Sequence, residues 1–434
     1  MSFLTGLAGN AAGVMNNVKG RLKVGYEHGL KGNPHAARLV SNLKGSLNGP
    51  RLMSNLKGGL NAMRPPRRRS PIGLDVGAKR VKAIQLEAGE VAGTWRVVAA
   101  ATAPRAGAGA TGALLTAGEA AAIADLLYRA GFEGRHAVMS APSGSVVQSV
   151  LDLPPRASQA PVEQIARLEL ARAHRSDPEA FEMGCWDLPA PQRPGGQGPS
   201  KGTHLMAVAL PHAAAAALLD PFEACGLQAD ALDITPCALH RACGAAIAPP
   251  GAITGILDIG WDAAVLSLLH RGAIVYQRSL GEAGMGQLHG VVARRLELEP
   301  DVIEFLLTEL GLTIERAEAR NAGGPDAAAP TLDPDLIEDA RRLVTTHADS
   351  LAGELRVSFT YATHQYPDAT VGKLLLAGGG AAMPGLADHL GTILGIPATP
   401  VSPSDLAECD RDVLGLCGSP AMTAAMGLAM YPRG

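Results

Sequence analysis

Aromatic side chains are nearly absent from this 434-residue chain: six Phe, six Tyr and three Trp make up 3% of it. A core with so few rings must be packed by small and branched residues, and Gly (52) is abundant, as is Pro (31). Such a composition suits α/β layers pressed closely together. Long apolar runs are missing as well. No stretch reaches the roughly 18–20 residues that span a bilayer. The opening Met1-Ser-Phe-Leu-Thr-Gly-Leu-Ala-Gly-Asn10 lacks the basic region and continuous apolar core of an export signal, so a cytoplasmic protein is expected. Cysteine is sparse. Cys185, Cys225, Cys237, Cys243, Cys409 and Cys417 contain no CxxC pair and form no dense disulfide framework. Cys237, His240 and Cys243 are spaced to share a helical face, but a fourth ligand is missing in an otherwise apolar segment, so packing outweighs zinc.

What is present is globular in its averages, at 47% hydrophobic and 18% charged residues. The length implies two to four packed units at roughly 100–200 residues each. The net charge of −3 hides an asymmetry. Residues 1–70 carry twelve Lys and Arg against the single acid Glu27, so the rest holds 26 basic and 40 acidic residues. This basic, Gly- and Asn-rich segment repeats Ser41-Asn-Leu-Lys-Gly-Ser-Leu-Asn48 as Ser54-Asn-Leu-Lys-Gly-Gly-Leu-Asn61. Leu43, Leu47, Leu56 and Leu60 fall at helical spacing, which leaves two readings open: short amphipathic helices on an anionic membrane surface, or a disordered, solvated tail. Interior glycines, each costing about 1 kcal/mol of helix relative to Ala, favour the second. Nucleic acid is not expected, because Phe3 and Tyr26 are the tail's only stacking residues. Pro65-Pro-Arg-Arg-Arg-Ser-Pro71 reads as the linker that ends it.

Ordered sequence begins at Ile72-Gly-Leu-Asp75-Val-Gly77-Ala-Lys-Arg-Val-Lys82, a strand, an Asp-x-Gly turn and an alternating second strand. A turn of this kind can offer backbone N–H groups to an anion. The carboxylate before it is placed to hold a hydrated Mg²⁺. The same device recurs at Thr254-Gly-Ile-Leu-Asp258-Ile-Gly260-Trp-Asp-Ala-Ala-Val265, followed by a third strand over 273–279. Two such hairpins, one per half, imply a duplicated domain with phosphates clamped between the halves. A third element, Leu374-Leu-Leu-Ala-Gly378-Gly-Gly380-Ala-Ala-Met-Pro384-Gly-Leu386, reads as a buried strand running into a glycine-rich turn and a helix. Its glycines would let backbone approach a base or ribose closely.

In order and spacing these three motifs resemble the phosphate-1, phosphate-2 and adenosine motifs of the actin-like ATPase superfamily. The flanks narrow the resemblance to the PilM family of type IV pilus assembly proteins, related to FtsA. They are Val150-Leu-Asp-Leu-Pro-Pro155 with Val162-Glu-Gln-Ile-Ala-Arg-Leu-Glu169, Gly353-Glu354-Leu-Arg356, and Leu390-Gly-Thr-Ile-Leu-Gly-Ile-Pro397. The resemblance covers residues 72–430. It implies an actin-like (ribonuclease H-like), duplicated two-lobe α/β ATPase fold. A first lobe over 72–250 would carry an inserted small subdomain at about 146–211. A second lobe over 251–434 would send its final helix back to the first, and the basic tail 1–71 would stand outside both. ATP and Mg would be the cofactors. Asp75 and Asp258 would face the metal through water, and Gly77, Ala78 and Lys79 would cradle phosphates opposite Gly260 and Trp261. Lys82 would follow the first turn. Gly378, Gly379 and Gly380 would border the adenosine pocket, with Glu354 and Arg356 near ribose and base. The expected partner is the cytoplasmic N-terminus of a PilN-like inner-membrane protein, bound in a groove beside the inserted subdomain, with the basic tail adding a possible membrane contact. The protein would sit in the cytoplasm, peripheral to the inner membrane, as an assembly scaffold of a pilus or related secretion machine.

Several positions depart from the family pattern. Ala78-Lys79-Arg80 replaces the usual hydroxyls with charge, and Trp261-Asp262 brings an indole that could occlude phosphate and a carboxylate that would repel it. Gly284-Met-Gly286-Gln-Leu-His289 lacks the Glu and Thr expected there. Hydrolysis is therefore doubtful, and the chain is at most a weak ATPase. Three rivals remain: a nucleotide-free pseudo-ATPase scaffold, an FtsA-like filament former, and a sugar-kinase-type phosphotransferase. The last lacks a recognisable sugar-binding signature. The end of the chain, Ala421–Gly434, carries too little charge for a membrane-anchoring amphipathic helix. Pro189-Ala-Pro-Gln-Arg-Pro-Gly-Gly-Gln-Gly-Pro199 reads as an exposed hairpin loop and Asn321–Pro330 as a mobile one.

Overall fold

Small residues decide how the layers meet. The helix Thr423–Ala429 is buried at every position, and Gly73 in the first strand has no room for a side chain beneath it. A Cβ at Gly73 would lie 2.0 Å from the Ala425 carbonyl oxygen, and one at Gly427 would lie 1.9 Å from that of Ala238. Backbone here rests directly on backbone, which is how a core with 3% aromatics closes. The structure is a computed structural model that describes residues 69–91, 93–106, 114–190, 202–249, 251–313 and 333–432. The readings for the basic tail, for most of the Pro/Gly-rich loop after Pro189 and for Asn321–Pro330 lie outside the described residues.

Two sheets repeat one plan. In the first, β1 (Ile72–Val76), β2 (Arg80–Ala88) and β3 (Trp95–Pro104) form an antiparallel meander. Beyond α1 (Ala117–Arg129), β4 (His136–Ser140) pairs parallel to β1 on its other side. In the second, β9 (Ala252–Ile259), β10 (Ala264–His270) and β11 (Ala273–Leu280) form the meander. There β12 (Thr370–Ala377) pairs parallel to β9. The five-strand order β3-β2-β1-β4-β8 thus matches β11-β10-β9-β12-β13 strand for strand, with β8 at Gln228–Asp233 and β13 at Ala398–Pro400. The short β14 (Glu408–Cys409) adds a sixth strand to the first sheet beside β3. Ile72, Leu74, Ile84 and Leu86 fill one core and Ile253, Ile256 and Leu257 the other.

Between β4 and β8 lies the small inserted unit. It is a three-stranded sheet in the order β5-β7-β6, with β5 at Val147–Leu153, β6 at Phe181–Asp187 and β7 at Thr203–Pro211, covered by α2 (Val162–His174). It leans on the second lobe. Trp186 Nε1 donates to the Ile274 carbonyl at 2.9 Å and Gln148 Nε2 to that of Gln277 at 3.1 Å. The chain returns through α3 (His212–Ala224), β8 and α4 (Thr235–Ala242). The second lobe carries α5 (Met285–Leu296), α6 (Pro300–Phe305), the long α7 (Pro334–Gln365) and α8 (Leu386–Leu394). The final helix, α9 (Thr423–Ala429), packs against β1, β2 and α4 of the first lobe. No helix among the described residues is long and apolar enough to cross a membrane.

Candidate functional site

Strand register builds the first half of the site. Asp75 and Lys82 are directly opposed across β1 and β2, and their side chains meet at 2.5 Å (Nζ to Oδ2). The other carboxylate oxygen of Asp75 accepts from Ser140 Oγ at 3.0 Å, and that hydroxyl accepts from the Val76 amide at 3.0 Å. Ser140 comes into reach because β4 runs parallel beside β1. Behind the turn, the guanidinium of Arg105 forms a buried pair with Glu119 at 2.6 Å and donates to the Gly77 carbonyl at 3.3 Å. The Arg105 amide donates to the Lys79 carbonyl at 2.9 Å. These bonds fix the turn's carbonyls on the Arg105 side.

The duplicated half differs at one position. Asp258 occupies in β9 the place Asp75 has in β1, but the residue opposite it in β10 is Val265. No cation replaces Lys82 there. Asp258 keeps a partly accessible edge, yet protein atoms crowd the carboxylate. Burial, and then the facing charge of Asp75, push its carboxyl up to about 6, with Lys82 pulling the other way. Two carboxylates of opposite lobes therefore feel one another across the cleft. Of the two, Asp75 alone carries a direct ion pair, to Lys82.

Both turns are closed by the same bond. The Gly77 amide donates to the Arg80 carbonyl at 3.1 Å, and the Gly260 amide to that of Ala263 at 3.0 Å. Among the described residues, the amides of Ala78 and Lys79, and those of Trp261 and Asp262, donate to no protein acceptor. These are the groups an anion between the turns would use. Gly378 has φ +83°, and a Cβ there would lie 2.4 Å from Asp258 Oδ1 and 2.7 Å from the Ile259 carbonyl. Gly380 is pressed against Ile259 and Met285, whereas a Cβ on Gly379 would meet nothing within 4 Å. Two glycines of the triplet thus let the chain cross the end of β9, and the third faces open space.

Glu354 and Arg356 are not brought together. Two residues apart on α7, they leave the helix about 200° from one another. Glu354 pairs with Arg278 of β11 at 2.6 Å, and Arg356 donates to the Ile393 carbonyl of α8 at 2.5 Å. Only Arg356 lies beside the helix that follows the glycine triplet. Sequence reasoning missed Ser140, Arg105, Glu119 and Glu304. Each acts on a turn through a contact spanning 14 to 225 residues, which no local pattern carries. At the other motif weighed above, burial pushes the Cys237 and Cys243 thiols up to about 12 and moves His240 down, as packing residues would behave. No cluster of three or more metal-ligating side chains occurs among the described residues.

Neither a family model nor a curated protein matches this sequence. Solved structures do. A chain of a PilM–PilN type IV pilus biogenesis complex superposes with a TM-score of 0.62 at 24% identity, covering 85% of this chain and 100% of that one. The ethanolamine utilization protein EutJ from Carboxydothermus hydrogenoformans follows at 15% identity and TM-score 0.47, over 85% of this chain and 91% of its own. An activator of 2-hydroxyisocaproyl-CoA dehydratase from Clostridium difficile, with bound ADPNP, has 14% identity and TM-score 0.40 over 83% and 93%. The expected fold is therefore the one observed: this chain has the duplicated, two-lobed actin-like ATPase fold, in a PilM-like form with a small inserted subdomain.

Proposed function

We propose that this chain is a cytoplasmic, nucleotide-binding scaffold of a type IV pilus or related secretion machine, held at the inner membrane by a PilN-like partner. The observation that carries the nucleotide half is the unequal pair Asp75 and Asp258. One carboxylate is neutralised by Lys82 and the other, opposite Val265, forms no ion pair among the described residues. A magnesium ion with its water shell fits that imbalance, supplying the missing charge between carboxylate and phosphate. The amides of Ala78, Lys79, Trp261 and Asp262 would receive the phosphates, with Gly260 keeping the second turn tight. Gly378, Gly379 and Gly380 would border the adenosine, and Arg356 is better placed than Glu354 to approach it.

The partner half rests on the fold and on a groove. The inserted sheet and the second lobe flank a shallow, open groove lined by Val150, Leu188, His204, Tyr276, Tyr361 and Tyr366. Val150 and Tyr361 are exposed there, and His204 Nε2 is buried without a hydrogen-bond partner while Nδ1 is bonded to Asp152. An extended peptide with apolar side chains fits these walls. The test is titration of the full chain with the cytoplasmic N-terminal peptide of a PilN-type protein, with and without Mg·ATP. Binding that weakens in Tyr361→Ala, and whose affinity changes about fivefold or more with nucleotide, supports a coupled scaffold. Absence of binding under both conditions overturns the partner assignment.

A further inference from the structure

At the tip of the first turn, Lys79 reaches across to the second lobe. Its ammonium lies 4.3 Å from the centroid of the Trp261 ring and 2.5 Å from Oε2 of Glu304 in α6. The indole is a built platform. A Cβ on Gly286 would lie 2.9 Å from Trp261 Nε1, and one on Gly284 would lie 2.6 Å from the Trp261 carbonyl oxygen. The Met285 and Gly286 amides, at the start of α5, donate to the Gly260 and Trp261 carbonyls at 3.0 and 2.8 Å. His289, one turn along α5, tilts against the indole at 5.5 Å. Hence the Gly-Met-Gly start of α5 and Trp261 are one device, because the indole needs the space Gly286 leaves and the turn backbone that of Gly284. Glu304, by contrast, is 53% exposed. Lys79 therefore has one rigid contact and one that water can readily replace.

The geometry points to a clasp: Lys79, Trp261 and Glu304 hold the two turns together, and Glu304 is the internal anion that a nucleotide's phosphate displaces from Lys79. This rests on the nucleotide reading above and adds its regulation. Lys79 keeps an anionic partner in both arrangements, Glu304 in one and phosphate in the other. A ligand bound equally by both arrangements would shift nothing. Exchange at Lys79 gives the nucleotide a differential interaction with the lobes, which is the requirement for moving them.

Two readouts on the full chain test it: Mg·ATP affinity by calorimetry, and acrylamide quenching of the Trp261 fluorescence, isolated by subtracting the Trp261→Phe protein. Glu304→Gln removes the competitor while keeping Lys79, so ATP affinity should rise about threefold to tenfold, and Lys79→Gln should lower it. Lys79→Gln, which removes the ammonium from the indole, should make Trp261 more quenchable, and Glu304→Gln, which frees Lys79 to leave the indole, should do so by a smaller amount that disappears in the Lys79→Gln background. Unchanged or weaker ATP binding in Glu304→Gln, where Asp75→Ala abolishes binding, refutes Glu304 as competitor and leaves the nucleotide reading standing. Unchanged quenching in both single variants refutes the clasp. ATP binding absent from every protein, wild type included, removes the nucleotide reading and the exchange with it.

Discussion

A single substitution between the repeats sets the electrostatics of the cleft. Lys82 stands opposite Asp75, and Val265 stands opposite Asp258. The raised Asp258 carboxyl has a direct consequence for stability. Its pKa is about 6 in the folded chain against an ordinary value of 3.8, so the folded state binds the proton more tightly. Folding stability must therefore fall as pH rises from about 4 through 6, and stay lowered above it. A tenfold change in proton affinity is about 1.4 kcal/mol, reduced here by solvent at the carboxylate's open edge. In EDTA, Asp258→Asn should raise the unfolding free energy by about 1–2 kcal/mol at pH 8 and by much less at pH 4. Denaturant melts at the two pH values check this, and an equal effect at both would contradict the assignment. Lys82→Met has the opposite sign: with two carboxylates left facing, it should lose about 1–3 kcal/mol at pH 8. The Asp-x-Gly residues were legible in the sequence because a strand, a turn and a strand are local. Ser140 was not, since its hydroxyl reaches Asp75 only through parallel pairing 65 residues away.

Glycine governs contact between elements. α9 lies so near β1 that Gly73 abuts the Ala425 carbonyl, and so near α4 that its own Gly427 abuts the Ala238 carbonyl. Gly427→Val should destabilise the chain by about 3 kcal/mol or more, read as a lowered denaturation midpoint at unchanged slope. Tolerance of valine there would mean the helix packs elsewhere. The chain closes with a 3₁₀ turn at Pro420–Met422 and a helix that begins at Thr423. Thr423, whose hydroxyl donates to the Val401 carbonyl at 2.7 Å, is spent on that junction. α6 likewise ends at Phe305 and passes into a π-turn, Leu306–Leu310. Apolar periodicity sees the buried leucines of both and cannot see the change in hydrogen bonding. Glu354 and Arg356 leave α7 in different directions, because residues at i, i+2 do not share a helical face.

At the scale of the whole molecule, the matched strand orders make the chain a pair of like lobes with facing turns. The duplication was readable because both hairpins carry the same Asp-x-Gly signal. The cross-cleft contacts were hidden, since Lys79 to Glu304 spans 225 positions. In the proposed reading, the two carboxylates and the four turn amides serve one ligand that touches both lobes. The most direct test is calorimetric titration of the full chain with ATP and Mg²⁺, alongside Asp75→Ala and Asp258→Ala. The account predicts micromolar binding (about −8 kcal/mol) that both substitutions weaken at least tenfold, with far-UV dichroism unchanged. Binding unaltered by either substitution, or no binding by the folded wild-type chain, would contradict it and leave a two-lobed scaffold whose cleft is closed by its own side chains.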